Sequence, residues 1–142
     1  MQISVTTDYA IRVIMYLGLS SDKKSASQIS EHMEIPRKYI DKILTKLKKD
    51  GYLSADKGIK GGYYLNKELK NITIGQVLRS MEPDTKINRC LEEDCYCNLK
   101  ATEICKIRKY YCKIQKLFED VIFNITLQDI QDEKYNIDKL FD

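Results

Sequence analysis

The chain has 142 residues, of which 43% are hydrophobic and 32% charged, the composition of a globular domain with room for a buried core. No apolar run approaches the ~20 residues of a transmembrane helix, and polar residues follow Met1. A reducing cytoplasmic compartment is therefore expected. The net charge of +3 is unevenly divided, with +5 in residues 1–70 (13 Lys and Arg, 8 Asp and Glu) and −2 in residues 71–142 (11 against 13). This asymmetry predicts that the first half meets a polyanion.

Three helices are predicted in the first 50 residues. The first runs through DYAIRVIMYLGL, with Thr7 as its N-cap and Asp8 in the first turn, where a carboxylate suits the helix dipole. The second, SASQISEHM, has Ser25 or Ser27 as its cap. The third, PRKYIDKILTKLKKD, carries apolar residues at the spacing of one buried helical face, namely Ile40, Ile43, Leu44 and Leu47.

The opposite face of the third helix is strongly basic. Two acidic residues, Asp41 and Asp50, stand against six basic ones, which are Arg37, Lys38, Lys42, Lys46, Lys48 and Lys49. A helix, a tight turn and a basic second helix form the outline of a helix-turn-helix, whose second helix enters the major groove of DNA. For such a helix on its own, a solvated lysine-rich face is the alternative interpretation.

The next segment, YLSADKGIKGGYYL, predicts a β-hairpin with a glycine-rich turn. A basic hairpin directly after a helix-turn-helix makes a winged helix, whose tip reaches phosphates or the minor groove. Residues 36–60 hold 8 Lys and Arg against 3 Asp, which favours DNA binding over simple solvation. The residues predicted to contact DNA are Ser27, Arg37, Lys38, Tyr39, Lys42, Lys46, Lys57, Gly58 and Lys60.

The second half is predicted to be helical around one irregular segment. A helix capped by Thr73 precedes a polar loop that runs to about Cys105, and a long helix and a short one capped by Thr126 follow. Apolar residues recur on the long helix at steps of three and four, the spacing of a heptad seam, at Ile104, Ile107, Tyr111, Ile114, Phe118, Val121 and Ile125. The seam either packs on its own domain or pairs with a second copy, as a palindromic operator requires.

All five cysteines lie between residues 90 and 112, spaced Cys-x4-Cys-x-Cys-x7-Cys-x6-Cys. In a reducing compartment, grouped thiols more often bind metal or sense redox state than form structural disulfides. The paired spacing of a structural zinc site is missing, and three loop thiols with one outside ligand suit an iron–sulfur cluster better. Thiol-based redox sensing stays open. The only histidine, His32, is interpreted as a surface or packing residue.

Six segments stand in the order TTDYAIRVIMYL, IPRKYIDKILTKLKKDGYL, KGIKGGYYL, ITIGQVLRSME, INRCL with CNL and a further Cys, and ITLQDI. Together they resemble a family of small bacterial winged-helix repressors. That family includes the iron–sulfur cluster assembly regulator, the nitric-oxide-sensing repressor and the cysteine-metabolism repressor. The resemblance implies a homodimer held by the long helix, with an iron–sulfur cluster of the 2Fe–2S or 4Fe–4S type between the DNA-binding domain and that helix.

The resemblance also implies metal ligands by position. Cys90, Cys97 and Cys105 match the three cluster cysteines of the family. Asp8 matches an aspartate that supplies the fourth ligand from the partner subunit in the nitric-oxide-sensing branch. The assembly-regulator branch instead has a histidine three residues after the last cysteine. That position is Arg108 here, so Asp8 is the candidate for the fourth ligand.

Three residues depart from the family pattern. Cys95 and Cys112 match no ligand position and are left as spare thiols, alternative ligands or redox partners. In the wing, Lys57 stands where the family has an arginine, so the charge is kept but bidentate base contact is lost.

The predicted fold is mainly α with a small β-hairpin wing, a winged helix-turn-helix plus a long dimerisation helix. It divides into a DNA-binding domain (1–82), a cysteine-rich cluster-binding loop (83–104), the long dimerisation helix (105–125), and a short helix with a polar tail (126–142). The predicted function is a homodimeric transcriptional regulator, a repressor, whose iron–sulfur cluster senses nitric oxide, oxidants or iron status. A cluster-free thiol-switch or partner-binding repressor is the alternative. No enzyme is predicted, since no nucleophile with a base, phosphate loop or catalytic carboxylate pair is found.

Overall fold

The structure, a computed structural model, describes residues 3–134, so most of the predicted polar tail lies outside the described residues. Two short 3-10 turns, Leu69–Asn71 and Arg89–Leu91, lie in connections. The mainly helical architecture with one hairpin confirms the predicted fold class. The elements are α1 (Val5–Leu19), α2 (Ala26–Met33), α3 (Arg37–Lys49), β1 (Leu53–Asp56), β2 (Gly62–Leu65), α4 (Ile74–Met81), α5 (Lys106–Asn124) and α6 (Leu127–Gln131).

Helix α1 begins three residues earlier than the sequence predicts. Its N-cap is Ser4, whose Oγ accepts a hydrogen bond from the Thr7 N–H at 3.2 Å, so the prediction of Thr7 as the cap is wrong. Thr7 is instead fully buried in the first turn, where its hydroxyl donates to Glu82 Oε1 at 2.5 Å. Because the Thr7 hydroxyl has this partner across the fold, the capping role falls to Ser4.

Helices α2 and α3 form the helix-turn-helix. Of the two predicted caps for α2, Ser25 is the one observed, in a capping box with Gln28. Helix α2 ends at Glu34 in the left-handed region, at φ 55°, and the turn there buries Ile35. Helix α3 then turns its apolar stripe into the core, which leaves the basic face on the surface. The four stripe residues Ile40, Ile43, Leu44 and Leu47 are all fully buried.

The wing is a two-stranded antiparallel hairpin in which Leu53 pairs with Leu65. Its second strand is also tied to the segment before α2. Lys24 and Tyr63 form a β-bridge with backbone hydrogen bonds of 3.1 and 2.8 Å. The base of the wing is therefore fixed relative to the helix-turn-helix.

Helices α4, α5 and α6 close the opposite side of the molecule. Thr73 caps α4 and Thr126 caps α6, each in a capping box, and the two threonines pair through an isolated β-bridge. Helix α5 packs on α4 at Gly75, where a Cβ would come within 2.6 Å of the Phe123 ring. The start of α6 and the end of α5 are thus both held against α4.

Burial is uneven along the chain. The buried side chains of one hydrophobic cluster come from α1 to α4, both helices included, and from Leu127 of α6. Helix α5 buries only Gln115 and Ile122. Within residues 3–134, no helix combines the length and the apolar character needed to cross a bilayer.

Candidate DNA-binding face and cysteine pocket

The first turns of α2 and α3 are joined by Arg37. Its Nη1 donates to Ser27 Oγ at 2.6 Å, and its Nε donates to Asp41 Oδ1 at 2.8 Å. Ser27, Arg37 and Asp41 are all exposed. Two of the predicted DNA contacts therefore lie next to each other at the open end of the helix-turn-helix, where a phosphate would meet both a hydroxyl and a guanidinium.

The same face continues along α3 with Lys38, Tyr39 and Lys42. Tyr39 is 40% exposed, packs edge-on against Tyr9, and has the Lys38 Nζ 5.3 Å from its ring centroid. Lys42 is exposed and makes no ion pair within residues 3–134. A rigid aromatic ring and two cations thus face outward from the first half of α3.

Lys46 is placed differently from the other predicted contacts. It is half-buried and forms an ion pair with Asp50 at 2.7 Å. Asp50 also accepts a hydrogen bond from the Ser80 hydroxyl of α4. The hydrogen bonds from Lys46 and Ser80 lower the pKa of Asp50. Lys46 therefore links α3 to α4 and is less available to DNA than Lys42.

At the wing tip, the structure brings three predicted residues together. Lys57, Gly58 and Lys60 are exposed, while Asp56 at the end of β1 is paired with Lys23. Ile59, which the sequence analysis did not select, lies between them and is fully exposed. The signal available in the sequence was an aliphatic residue inside a glycine-rich turn, where polar residues are usual.

The three predicted cluster cysteines line a single cavity of about 390 Å³. Cys90 and Cys97 come from the irregular loop, and Cys105 is the N-cap of α5. Backbone N–H groups of Ala101, Leu99 and Lys100 lower the pKa of the Cys97 thiol, which favours the thiolate that metals bind. The cavity wall is completed by residues that include Tyr96, Leu99, Ile107, Arg108 and Tyr111.

The set of four predicted ligands is not assembled in one chain. Within the described part, no group of three or more Cys, His, Asp or Glu residues stands close enough to hold a metal ion. Asp8 lies on α1, outside the cavity lining, and pairs with Arg12 at 2.9 Å. Thiolate is the donor type that iron–sulfur clusters take, and three thiols line this cavity, but in the described residues these three do not converge on one point.

The remaining two cysteines, Cys95 and Cys112, are exposed. The Arg108 Nη2 lies 3.7 Å from Cys95 Sγ, and Arg108 Nε donates to Cys90 O at 3.0 Å. The backbone N–H of Arg108 also donates to Cys105 Sγ at 3.4 Å. Arg108 therefore contacts three of the five cysteines, a role that its position in the sequence did not reveal.

A buried polar clamp attaches the start of the cysteine loop to α5. Gln115 is 5% exposed; its Oε1 accepts from Ile87 N–H at 2.9 Å, and its Nε2 donates to Thr85 O at 3.2 Å and to Glu119 Oε1 at 2.8 Å. Hydrogen bonds from Gln115 and Lys86 lower the pKa of Glu119. Sequence reasoning missed this clamp, although a glutamine among the apolar residues of α5 was its visible signal.

Glu82 connects the end of α4 to the start of α1. Its Oε1 accepts hydrogen bonds from the Ser4 N–H at 2.8 Å and from the Thr7 hydroxyl. Burial opposes ionisation of this carboxyl, but the hydrogen bonds from Thr7 and Ser4 outweigh it and lower the pKa of Glu82. Asp8, the predicted fourth ligand, follows Thr7 directly, and Pro83, where the cysteine loop begins, follows Glu82. The contact between Thr7 and Glu82 therefore brings the backbone next to Asp8 close to the start of the loop.

Within residues 3–134, nothing covers the apolar outer face of α5 or Ile104 just before it. Ile104 is 79% exposed, Ile107 61%, Ile114 50% and Leu117 66%, and these are residues of the predicted heptad seam and its margin. Only Ile122 and Ile125, at the end of the stripe, are buried. An apolar face of this extent is typical of a protein–protein interface.

Comparisons with known proteins give a family and a fold. A family model described as "Rrf2: Iron-dependent Transcriptional regulator" matches residues 3–133. CymR (YrzC), the global cysteine regulator of B. subtilis, is 21% identical and superposes with a TM-score of 0.74 over 94% of this chain and 98% of that one. T. potens IscR is 21% identical, with a TM-score of 0.73 over 95% and 89%. An oxidised form of Staphylococcus aureus CymR is 20% identical, with a TM-score of 0.68 over 92% and 95%.

Proposed function

This chain belongs to the Rrf2 family and is a DNA-binding transcriptional regulator rather than an enzyme, and we propose that its homodimer binds a palindromic operator under the control of an iron–sulfur cluster. The observation that carries the proposal is the single cavity lined by Cys90, Cys97 and Cys105 at the start of α5. The proposed output is repression, and the proposed signal is nitric oxide, an oxidant or a shortage of iron.

Dimerisation is supported by the uncovered face of α5. Burying apolar surface yields about 25 cal/mol per Å², and the side chains of Ile107, Ile114 and Leu117 remain in water in one chain. A two-fold pairing of α5 with its copy would cover them and place two recognition helices and two wings side by side. That arrangement suits two operator half-sites about one helical turn apart.

Binding of a cluster is supported by the chemistry of the cavity. Thiolates are the usual ligands of iron–sulfur clusters, and the Cys97 pKa is lowered by neighbouring N–H groups. When bound, the cluster would supply a centre that reacts directly with nitric oxide and oxidants. Cys90, Cys97 and Cys105 would hold it, and Asp8 of the second copy is the proposed fourth ligand.

Control of DNA affinity would run through three contacts of this chain. Gln115 fastens the cysteine loop to α5, Glu82 fastens the end of α4 to α1, and Asp50 fastens α3 to α4 through Ser80. Through these contacts, a change in the loop would reach α3, the helix proposed to read DNA. A coupling free energy of ~1–3 kcal/mol between cluster state and DNA binding would change affinity about 5- to 150-fold.

Anaerobic purification from iron-replete cells tests the cluster directly. We expect a coloured protein with visible absorbance, iron and acid-labile sulfide, and loss of all three in Cys90→Ser, Cys97→Ser and Cys105→Ser. Cys112→Ser is the matched control, because that thiol is exposed and outside the cavity. An operator-binding assay before and after nitric oxide then tests control. A metal-free wild type that binds its operator normally would contradict the proposal.

A thiol switch is the second candidate. It is supported by Cys95, which is exposed and whose Sγ lies 3.7 Å from the Arg108 guanidinium, since oxidation requires an accessible thiol. The similar CymR structures include an oxidised form. If this function is correct, colourless protein should lose operator affinity on mild oxidation, and Cys95→Ser should abolish that response while Cys112→Ser keeps it.

A further inference from the structure

The wing tip carries one apolar side chain that folding does not use. Ile59 has a relative accessibility of 107%, so nothing in the part of the chain that the structure describes covers it. It occupies a corner of the turn between Gly58 and Gly61, which is closed by a hydrogen bond of 2.9 Å from the Gly61 N–H to Gly58 O. Corner positions of such turns usually carry polar residues that remain solvated. Ile59 therefore contributes nothing to the core and is free to be buried by a partner.

The charges beside Ile59 indicate what kind of partner that is. Lys57 and Lys60 flank it, and neither makes an ion pair within residues 3–134. The nearest carboxylate in the hairpin, Asp56, is taken by Lys23. An apolar side chain between these two lysines is complementary to a polyanion that has an apolar surface between its charges. Duplex DNA is such a polyanion, because its stacked bases lie between two phosphate strands.

The tip is also narrow and fixed in place. A Cβ at Gly61 would lie 2.3 Å from the Asp56 carbonyl oxygen, so only glycine allows the two strands to approach this closely. The bridge between Lys24 and Tyr63 anchors the base of the hairpin. A slender, pre-ordered tip can enter a minor groove that is about 6 Å wide, and little conformational entropy is lost when it does.

We infer that Ile59 enters the minor groove of the operator and wedges against a base step, with Lys57 and Lys60 on the phosphates at either side. The inference rests on operator binding by this wing, as proposed above. Apolar side chains inserted in this way partly unstack the step and bend the duplex towards the major groove. Flexible pyrimidine–purine steps are deformed most easily, so Ile59 would select sequence by deformability and not by hydrogen bonds.

The test uses the full-length protein and a duplex selected from randomised DNA by the wild type. We expect Ile59→Ala to weaken binding about tenfold, equivalent to about 1.4 kcal/mol, and to leave the thermal unfolding midpoint unchanged because the side chain is fully exposed. Ile59→Leu, which keeps the apolar volume, should stay within about twofold of the wild type. A 2-aminopurine base placed under the wing should brighten on binding of the wild type and of Ile59→Leu, but not of Ile59→Ala.

Salt dependence separates the wedge from its flanking cations. Ile59→Ala should leave the slope of log affinity against log salt unchanged, whereas Lys57→Ala or Lys60→Ala should reduce it by about one. The wedge would be overturned if Ile59→Ala kept the wild-type affinity and brightened 2-aminopurine as the wild type does. A loss of affinity caused only by weaker dimerisation would overturn it as well. If the wild type itself selected no sequence, the proposed function would be wrong, and the inference would fall with it.

Discussion

Residues 3–82 and residues 83–124 of this chain bury their apolar side chains to very different extents. The first region holds nearly the whole hydrophobic cluster, with Ile14, Ile29, Ile43 and Leu44 fully buried. The second buries only Gln115 and Ile122. It also leaves a row of large apolar residues exposed, which comprises Tyr96, Leu99, Ile104, Ile107, Tyr110, Ile114 and Leu117.

The first region therefore buries its apolar side chains within one chain, whereas the second region leaves many of its large apolar side chains exposed. The DNA-binding region has its core, its caps and its wing anchor within a single copy. The cysteine loop and α5 are held by polar contacts from Arg108 and Gln115, while much of their apolar surface is exposed. The proposed sensor function requires such a division, because the second region could then change its conformation without unfolding the first.

The largest expected effect is a loss of stability in the first region. Leu44→Ala should lower the free energy of unfolding by about 3 kcal/mol. The leucine side chain is fully buried, and its truncation would leave a cavity where α3 packs on the core. Urea unfolding followed by circular dichroism measures it. Leu19→Ala is the matched control at a position that is 56% exposed, where the same change should cost less than about 0.5 kcal/mol. Equal losses of stability at both sites would contradict the burial of Leu44 in the core of the first region.

The second prediction concerns dimerisation through the second region, with the fold of the monomer unchanged. Leu117→Asp should raise the dimer dissociation constant at least about 100-fold, because a carboxylate would be buried in an apolar interface. Sedimentation equilibrium measures the constant, and circular dichroism should show that the monomer remains folded. Leu19→Asp serves as the control on α1. A Leu117→Asp protein that stays dimeric would show that α5 is not the interface.

The third prediction sharpens the contrast in charge between the two regions. Lys42→Ala should weaken operator binding about threefold to tenfold and reduce the salt slope by about one, since a phosphate contact is lost. Lys116→Ala, the same change on exposed α5, should leave both quantities unchanged. Fluorescence anisotropy at several salt concentrations measures them. If Lys42→Ala had no effect, the basic face of α3 would be a solvated surface only.

The smallest expected effect concerns Glu82, at the boundary of the two regions. Its pKa is lowered in the folded state, so its carboxylate stabilises the fold at neutral pH, and this contribution is lost as the pH falls from about 5 through the lowered pKa. Glu82→Gln should cost about 1 kcal/mol at pH 7, and the difference from the wild type should shrink towards pH 3. Urea unfolding across this range tests it, with exposed Glu93→Gln as the control. A difference that does not depend on pH would contradict the assignment.

Much of the first region could be predicted from the sequence because its signals are local. The period of Ile40, Ile43, Leu44 and Leu47 marked the buried face of α3, and the glycines of the hairpin marked the wing. The cap of α1 was predicted wrongly because Thr7 is engaged by Glu82, 75 residues away. Whether a side chain pairs with a local or a distant partner cannot be predicted from the residues next to it in the sequence.

The candidate site was predicted in part for the same reason. The spacing favoured an iron–sulfur cluster, and the family resemblance assigned Cys90, Cys97 and Cys105 to it. Folding brings these three residues to the lining of one cavity. The roles of Arg108 and Gln115 were missed, since both act through contacts with loop carbonyl and N–H groups that have no pattern in the sequence. Asp8 as the fourth ligand stays a prediction.

By itself, the sequence determined the order of the helices, the basic face of α3, the basic wing and the grouping of the thiols, because periodicity, turn chemistry and charge act between near neighbours. How the helices pack sets which lysines of residues 3–134 make no ion pair and which, like Lys46, are paired with a carboxylate. In the described part of the chain, this packing also leaves the apolar face of α5 uncovered and Ile59 exposed at the wing tip. Burial and pairing depend on residues distant along the chain, and only packing brings those together.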